Sequence, residues 1–537
     1  MQTRPPTEEL LDLTADIMGC DRHTLRVGAA GSPFVTLGGS LAQAMRLQAR
    51  ADEQLGLAVD LAWLMGPAPL EEALARAVPA TATTLRTGPG RAVREPLPEQ
   101  RALLTAEEYT GGAAVHRVLS AELTGPLDSA ALRRALRALV SRHDGLRTVF
   151  VWSPKGPVRR VPVRGEAHLT VEEAPPATGD PVAAAHARIG ESADRLLGSP
   201  DRPPFAFVLT RLGDDRHLLS FVFHDAVADA WSAALVWREL LTDYERARTG
   251  RPVTESPSPS PDAALDRSVE LAASGTVLTL ATRRIAQLRE YPTVVRLPAA
   301  APRPGTFDFR GARLLFDLEP GVRERVEAVA ARAGVPHAVV LLAAWALTAG
   351  RAAGLDRLLV GTEVPRRPTG ALMRTVAPCS ATVPVRCELH GPVDYFLRGM
   401  ACAFSEALEY ADVAPRALSQ GLGIRPDRSR TPLTQITFAA HDELLPEVIE
   451  AGGLTARFHP GHCGGAGADA GLSVLRWGER PLLGLEYASS VFTEEEAATL
   501  ARRLRRTLDA LLAADPETFV EDTTAQDTAR AVPAPLT

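Results

Sequence analysis

Residues 123 to 150 read LTGPLDSAALRRALRALVSRHDGLRTVF, and this stretch decides how the rest of the chain is read. From Ala130 to Val140 the apolar residues Leu132, Leu136 and Val140 fall four apart, so they share one face of a helix. Downstream, Phe205 to Leu212 and Leu218 to Phe223 read as strands, and a helix from Trp231 to Ala247 follows them directly. Strand and helix patterns alternating in this way predict an α/β lobe.

Working outward, this first lobe spans residues 105–275 and a second α/β lobe spans 276–525. The stretch RPVTESPSPSPD, residues 251 to 262, is rich in Pro and Ser and predicts a surface crossing between the two. The second lobe carries helices Gly321 to Ala333 and Val335 to Ala349, strands near Leu358 to Gly361 and Leu482 to Tyr487, and a closing helix Glu494 to Leu512. Residues 526–537 read as a frayed tail. On the other side, residues 83–104 carry Thr, Gly, Pro and Arg without apolar periodicity, which is linker composition. Residues 1–82 before it predict a small all-α unit: an amphipathic stretch Glu8 to Met18, a loop rich in Gly, Ser and Pro, a helix Ser40 to Leu55, and a last helix near Leu70 to Val78. The expectation is a multi-domain protein.

Bulk composition agrees and excludes several classes. At 537 residues the chain is too long for one compact core. A net charge of -6 gives no field for steering a nucleic-acid backbone. Lys155 is the one lysine, so lysine chemistry is not expected. Cys20, Cys379, Cys387, Cys402 and Cys463 are scattered without a CxxC pair, which supports neither a disulfide framework nor a zinc knuckle. The N-terminus has no secretory pattern, and Val335 to Ala349 is shorter than a bilayer span, so a cytoplasmic protein without membrane partners is expected.

Residues 34 to 59, FVTLGGSLAQAMRLQARADEQLGLAV, resemble the core of a peptidyl or acyl carrier protein. The resemblance implies a four-helix bundle whose Leu-Gly-Gly loop leads to an acidic or His residue and then to a serine bearing phosphopantetheine. Amide donors at a helix N-terminus suit such a phosphodiester. The gapless register puts Leu41 at the serine position and Ser40 one place early. Two outcomes stand open: Ser40 carries phosphopantetheine, or it is the helix N-cap.

Residues 105 to 525 resemble a condensation domain, the peptide-bond-forming unit of nonribosomal peptide synthetases, with the two-lobed chloramphenicol-acetyltransferase-like fold. The segments that carry this are the opening stretch, with Arg142, His143, Leu146, Arg147 and Thr148, followed by 294–318, 360–370, 376–386, 430–438 and 484–496 in the family's order. Residues 223 to 232, FHDAVADAWS, fall where the family carries His-His-x-x-x-Asp-Gly. His224 stands at the first histidine, Asp225 replaces the second, Asp229 is kept, and Ala230 replaces the glycine. In the family the second histidine faces a tunnel where a carrier-bound thioester meets an amine, because a neutral imidazole is a base matched to that task. A further departure is the segment 105 to 123, where only Thr105 and Ala106 remain of the family's Ser-x-Ala-Gln helix.

Plainer roles stand beside these. His224 at a strand end is by default a hydrogen-bonded structural histidine, Asp229 an ion-pair partner for an arginine, and His143 a packing residue. Asp225 is costly at a tunnel centre unless solvated, paired or protonated. HPGHCGGAGADAG, residues 459 to 471, lacks paired metal-ligand spacing and reads as a flexible loop, and no metal is expected. The resemblance implies acyl transfer on carrier-tethered thioesters in natural-product (antibiotic) biosynthesis, together with other synthetase subunits and carriers. The alternatives are an inactive module that docks carriers or recruits a tailoring enzyme, and cyclisation or dehydration of a tethered chain. No adenylation segment is visible, so an amino acid is loaded by a partner, and no residue names the substrate.

Overall fold

A computed structural model of the chain describes residues 5–80, 94–110, 112–174, 179–198, 201–254 and 256–523. The opening stretch forms strand β3 (His116–Thr124) and helix α7 (Ser129–Arg142), with Asp128 accepting from the amides of Ala130 and Ala131 as N-cap. That cap starts the helix, and the Leu132, Leu136 and Leu139 face is buried.

In chain order the elements before β3 are α1 (Pro6–Met18), α2 (Arg22–Ala29), α3 (Leu41–Leu55), β1 (Leu57–Ala58), α4 (Leu61–Leu64), α5 (Leu70–Ala75), β2 (Val78–Pro79) and α6 (Pro98–Thr110). After α7 come β4 (Val149–Ser153), β5 (Gly156–Arg160), β6 (Leu169–Glu173), α8 (Pro181–Leu197), β7 (Phe205–Gly213), β8 (Arg216–His224), α9 (Ala230–Arg248), α10 (Asp262–Ala273) and α11 (Thr276–Leu288). The second half contains β9 (Gly311–Asp317), α12 (Val322–Ala333), α13 (His337–Ala353), β10 (Arg357–Pro365), α14 (Gly370–Met373), β11 (Ser380–Glu388), α15 (Val393–Leu408) and α16 (Pro415–Gly421). It ends with β12 (Ile436–Ala440), β13 (Val448–Ala451), β14 (Leu454–Pro460), β15 (Ala470–Arg476), β16 (Leu482–Ala488) and α17 (Glu494–Ala513).

Two six-stranded sheets organise the lobes. The first runs β13-β14-β3-β8-β7-β6 and the second β11-β10-β12-β15-β16-β9. Helices α7 and α9 cover the first sheet, with Trp237 fully buried and edge-on to Phe458 at 5.5 Å between ring centroids. Helix α13 is buried along nearly its whole length beside the second sheet, where Trp345 Nε1 donates to Thr437 O at 2.9 Å. Its burial inside protein explains the apolar run around Val339–Ala349. Among the described residues no single helix is long and apolar enough to cross a membrane.

The structure redraws three expected boundaries. The 83–104 linker gives way to α6 at Pro98, where Gln100 is buried and donates to Ala226 O at 2.9 Å, so the chain is already anchored there. Residues 83–93 of that segment lie outside the described residues, as does the tail 526–537. The lobes are not two consecutive segments: β13 and β14, from the second half, complete the first sheet by pairing Phe458 opposite Ala121. Backbone pairing captures an otherwise exposed sheet edge, which outweighs sequence order. Residues 461–469 form an anchored turn rather than a flexible loop, because buried Asp469 is ion-paired with Arg303.

The N-terminal unit also differs from a free-standing four-helix bundle. Its described residues form five helices, two of them only 4 and 6 residues long, and the last of these ends at Ala75, after which β2 pairs with β1. Leu10, Leu47, Leu64 and Leu70 belong to the same continuous apolar cluster as Val340 and Trp345 of the second lobe. Residues sharing one core unfold together, so calorimetry should show the unit melting with the second lobe; a separate low-temperature transition would contradict the shared core.

Candidate active site

His224 is the last residue of β8 and lies opposite His116 of β3. Its Nδ1 accepts the Ala226 amide at 2.8 Å, which leaves the ring proton on Nε2, 3.2 Å from Glu107 Oε2. Both nitrogens are therefore engaged, and the bond from His224 holds the Glu107 carboxyl below its usual range. His116 sits beside it, with Nε2 3.8 Å from Glu107 and Nδ1 3.0 Å from Asp194; burial, and then the neighbouring His224, push His116 down to about 4.

Glu107, His116 and His224 offer ligand atoms within 4.8 Å of one another, a spacing that a cation would need. The tautomer argues against it. A metal on His224 Nε2 needs Nδ1 to be the donor, and here Nδ1 receives a backbone N–H instead. These residues fit a buried hydrogen-bond cluster that anchors α6 to the first sheet.

Asp225, one residue on, turns the other way. Its amide donates to Val115 O at 2.8 Å and its carboxylate lies 3.0 Å from Arg117 Nη2. Alternation along β3 explains the split, since His116 and Arg117 point to opposite faces of the sheet. Arg117 and Asp225 line a cavity of about 810 Å³ that also takes in Glu363 of β10, Phe438 of β12 and Glu486 of β16. It is thus a cavity walled by both sheets. Burial pushes the Asp225 carboxyl up to about 6, against the pull of Arg117 and His224. At Glu486 burial acts in the same upward sense, but the His462 bond and the charges of Arg313 and Arg117 outweigh it and hold that carboxyl at about 2.

Asp229 closes the loop as N-cap of α9, accepting from Ser232 N at 2.8 Å. Arg367 Nη2, fully buried, lies 2.8 and 3.0 Å from its two oxygens, and Cys379 N and Ser380 Oγ complete the shell at 2.9 and 3.2 Å. Burial would raise the carboxyl, yet Arg367 and the Ser232 bonds keep it below the usual range. The stability this adds is therefore fully present above the ordinary carboxylate range and fades only in stronger acid. With both oxygens engaged in this way, Asp229 joins the first lobe to the second.

Ser40 is the N-cap of α3 in a reciprocal capping box: its Oγ accepts Gln43 N at 3.2 Å while Gln43 Oε1 accepts Ser40 N at 3.0 Å. Ser40 and Leu41 line a second cavity of about 330 Å³, which shares Ala230, Glu363, Ser380 and His441 with the first. The half-buried Glu443 carboxylate already faces this helix end, accepting from Ala42 N at 3.3 Å. A phosphodiester on Ser40 would meet a like charge at the amides it needs, so the residues present do not fit phosphopantetheine.

Of the residues singled out from sequence, the structure brings Asp225 to the passage and puts Asp229 and His224 in its supporting frame, with Ser40 at the adjoining cavity. Arg117, Glu107 and Arg367 were missed. Arg367 lay in the quoted 360–370 segment, and Arg117 was legible only through its strand alternation.

Two α/β lobes enclosing a cavity, with the 223–232 loop beside it, define the class: a fold of the condensation type. A family profile for the condensation domain matches residues 97–531, and the chain belongs to that family. It is 30% identical to phosphinothricin tripeptide synthetase PhsB of Streptomyces viridochromogenes over 89% of this chain and 41% of that protein. Isonitrile lipopeptide synthase of Mycobacterium tuberculosis is 30% identical over 80% of this chain and 18% of its own length. Among solved structures, the X-domain from teicoplanin biosynthesis superposes with a TM-score of 0.68 at 25% identity, covering 82% of this chain and 99% of that one. The starter condensation domain of rhizomide synthetase, with C8-CoA bound, gives 0.70 at 19%, covering 80% and 97%. The chain spans between 4% and 41% of the length of eight curated relatives that it matches.

Removing Arg367 should be among the most damaging single changes. Arg367→Met leaves Asp229 charged and buried, at a cost of about 3–5 kcal/mol. Urea denaturation should show that loss, with part of it recovered in the Asp229→Asn/Arg367→Met double variant.

Proposed function

We propose that this chain is a nonribosomal peptide synthetase component that performs condensation-type acyl transfer on a carrier-tethered thioester. Asp225 takes the amine proton that the family leaves to an imidazole. The observation carrying this reading is the Asp225–Arg117 pair at 3.0 Å inside the passage between the lobes. As the amine nitrogen bonds to the thioester carbon, its proton passes to the Asp225 carboxylate and the carbonyl oxygen gains charge. Collapse of that adduct expels the carrier thiolate, which leaves as thiol when the proton is returned. Arg117 supplies a guanidinium beside the reacting centre, where a fixed positive charge favours developing negative charge. A carboxylate raised to about 6 is a better base than an ordinary one, although a weaker one than imidazole. Partner carriers, and an adenylating enzyme to load them, follow from the same reading.

A second reading, a non-catalytic module that docks carriers or recruits a tailoring enzyme, is favoured by a different observation. No histidine nitrogen of the 223–232 loop is free, since His224 uses both.

The two separate in one assay of amide formation from a carrier-bound acyl donor and an amine, comparing wild type, Asp225→Asn and Asp225→His. The acyltransferase reading expects wild-type turnover that falls as the pH drops through about 6, because protonated Asp225 cannot accept a proton. Asp225→Asn should lose about 10²–10⁴ in rate. Silence of all three folded proteins would refute acyl transfer for that substrate pair and leave the docking reading.

A further inference from the structure

Three features beyond the Asp225–Arg117 pair stand out: the Glu107 cluster, whose tautomer argues against a metal; Glu363 where the two cavities adjoin; and the seating of the N-terminal unit. The last carries furthest. A carrier domain works by visiting: it docks through a small polar interface, delivers its arm and leaves. The contacts of this unit are of another kind.

First, the attachment point is altered in three places. Leu41 stands where the family places the modified serine, and it packs against the apolar cluster of Met45, Ala49, Trp231 and Met373. Ser40 spends its hydroxyl on the capping box. Glu443, from the loop after β12, brings its carboxylate to Ala42 N at 3.3 Å, where the phosphodiester of an arm would sit. Second, α3 and α4 are bonded to the second lobe along their lengths. Gly370 N donates to Asp52 at 3.1 Å, Arg374 pairs with Glu53, and Ser405 Oγ donates to Ala62 O at 2.6 Å. Third, the apolar interior is continuous across the interface, as one cluster running from Leu10 to Trp345.

We infer that residues 6–79 are a permanently docked carrier mimic, built to occupy the face of the condensation fold beside Trp231 and to wall the 330 Å³ chamber leading into the reaction cavity, and not to bear an arm. No separate carrier can seat on that face while the unit is in place, so a partner carrier has to use another. This conclusion concerns the unit alone and holds whether or not Asp225 is active.

The test uses the full chain in two measurements. It is incubated with a phosphopantetheinyl transferase and coenzyme A, beside a carrier protein that accepts the arm in the same tube, and intact masses are recorded. Hydrogen exchange is then followed across Leu41–Leu55 and, for reference, across His337–Ala353. The expected result is an unchanged mass for this chain, full modification of the control, and exchange in Leu41–Leu55 within about tenfold of the buried helix. A phosphopantetheinyl group on Ser40 would overturn the inference. So would an unmodified unit whose amides exchange as fast as a detached domain, since it would then leave the face open.

Discussion

The ion pair between Asp229 and Arg367 is the constraint on which the rest of the site depends. Asp229 caps α9 of the first lobe, and Arg367 sits on the loop after β10 of the second, so one buried contact sets where the lobes meet. Arg367 also donates to the carbonyls of Leu372, Thr375 and Ala377, which fixes the turn into β11. A charge pair removed from water is worth keeping only when its lone pairs and protons are satisfied, and here they are, apart from Arg367 Nε. Everything upstream in the loop inherits this rigidity: with Asp229 fixed at one end and His224 at the other, Asp225 has one direction left, into the passage.

The same economy explains why the two halves of the 223–232 loop differ in role. His224 faces a wall of α6, where Glu107 and a backbone amide consume both its nitrogens. Asp225 pairs directly with Arg117 on the wall of a cavity bounded by two sheets, its side chain 22% exposed. A neutral ring suits the first setting and a paired carboxylate the second. The charged pair that faces the cavity is a carboxylate and a guanidinium, and the imidazole of the loop is engaged elsewhere.

Much of this was legible in the sequence, and the failures have physical causes. The 3.6-residue period of α7 and the paired strands β7 and β8 are local patterns, and they appear where the periodicity predicts them. The contribution of β13 and β14 to the first sheet is a pairing between residues more than three hundred positions apart, which no local period encodes. Helix α6 starts inside a segment of linker composition because Gln100 and Leu97 find buried partners in the distant 223–232 loop and β11 region. At the site, the substitution of Asp225 was plain from its motif. Its partner Arg117 was not, because that contact is made only once β3 lies beside β8. The offset of Ser40 was visible too, whereas Glu443 at the same helix end belongs to a loop four hundred residues away.

Asp225 stands in the cavity between the sheets beside Arg117, and a carboxyl titration tests that setting most directly. With aspartate carbons labelled and the Asp225 signal assigned by its loss in Asp225→Asn, the resonance should titrate near pH 6, two units above an ordinary aspartate. Titration near 3.8 would contradict a carboxyl on which burial outweighs the pull of Arg117.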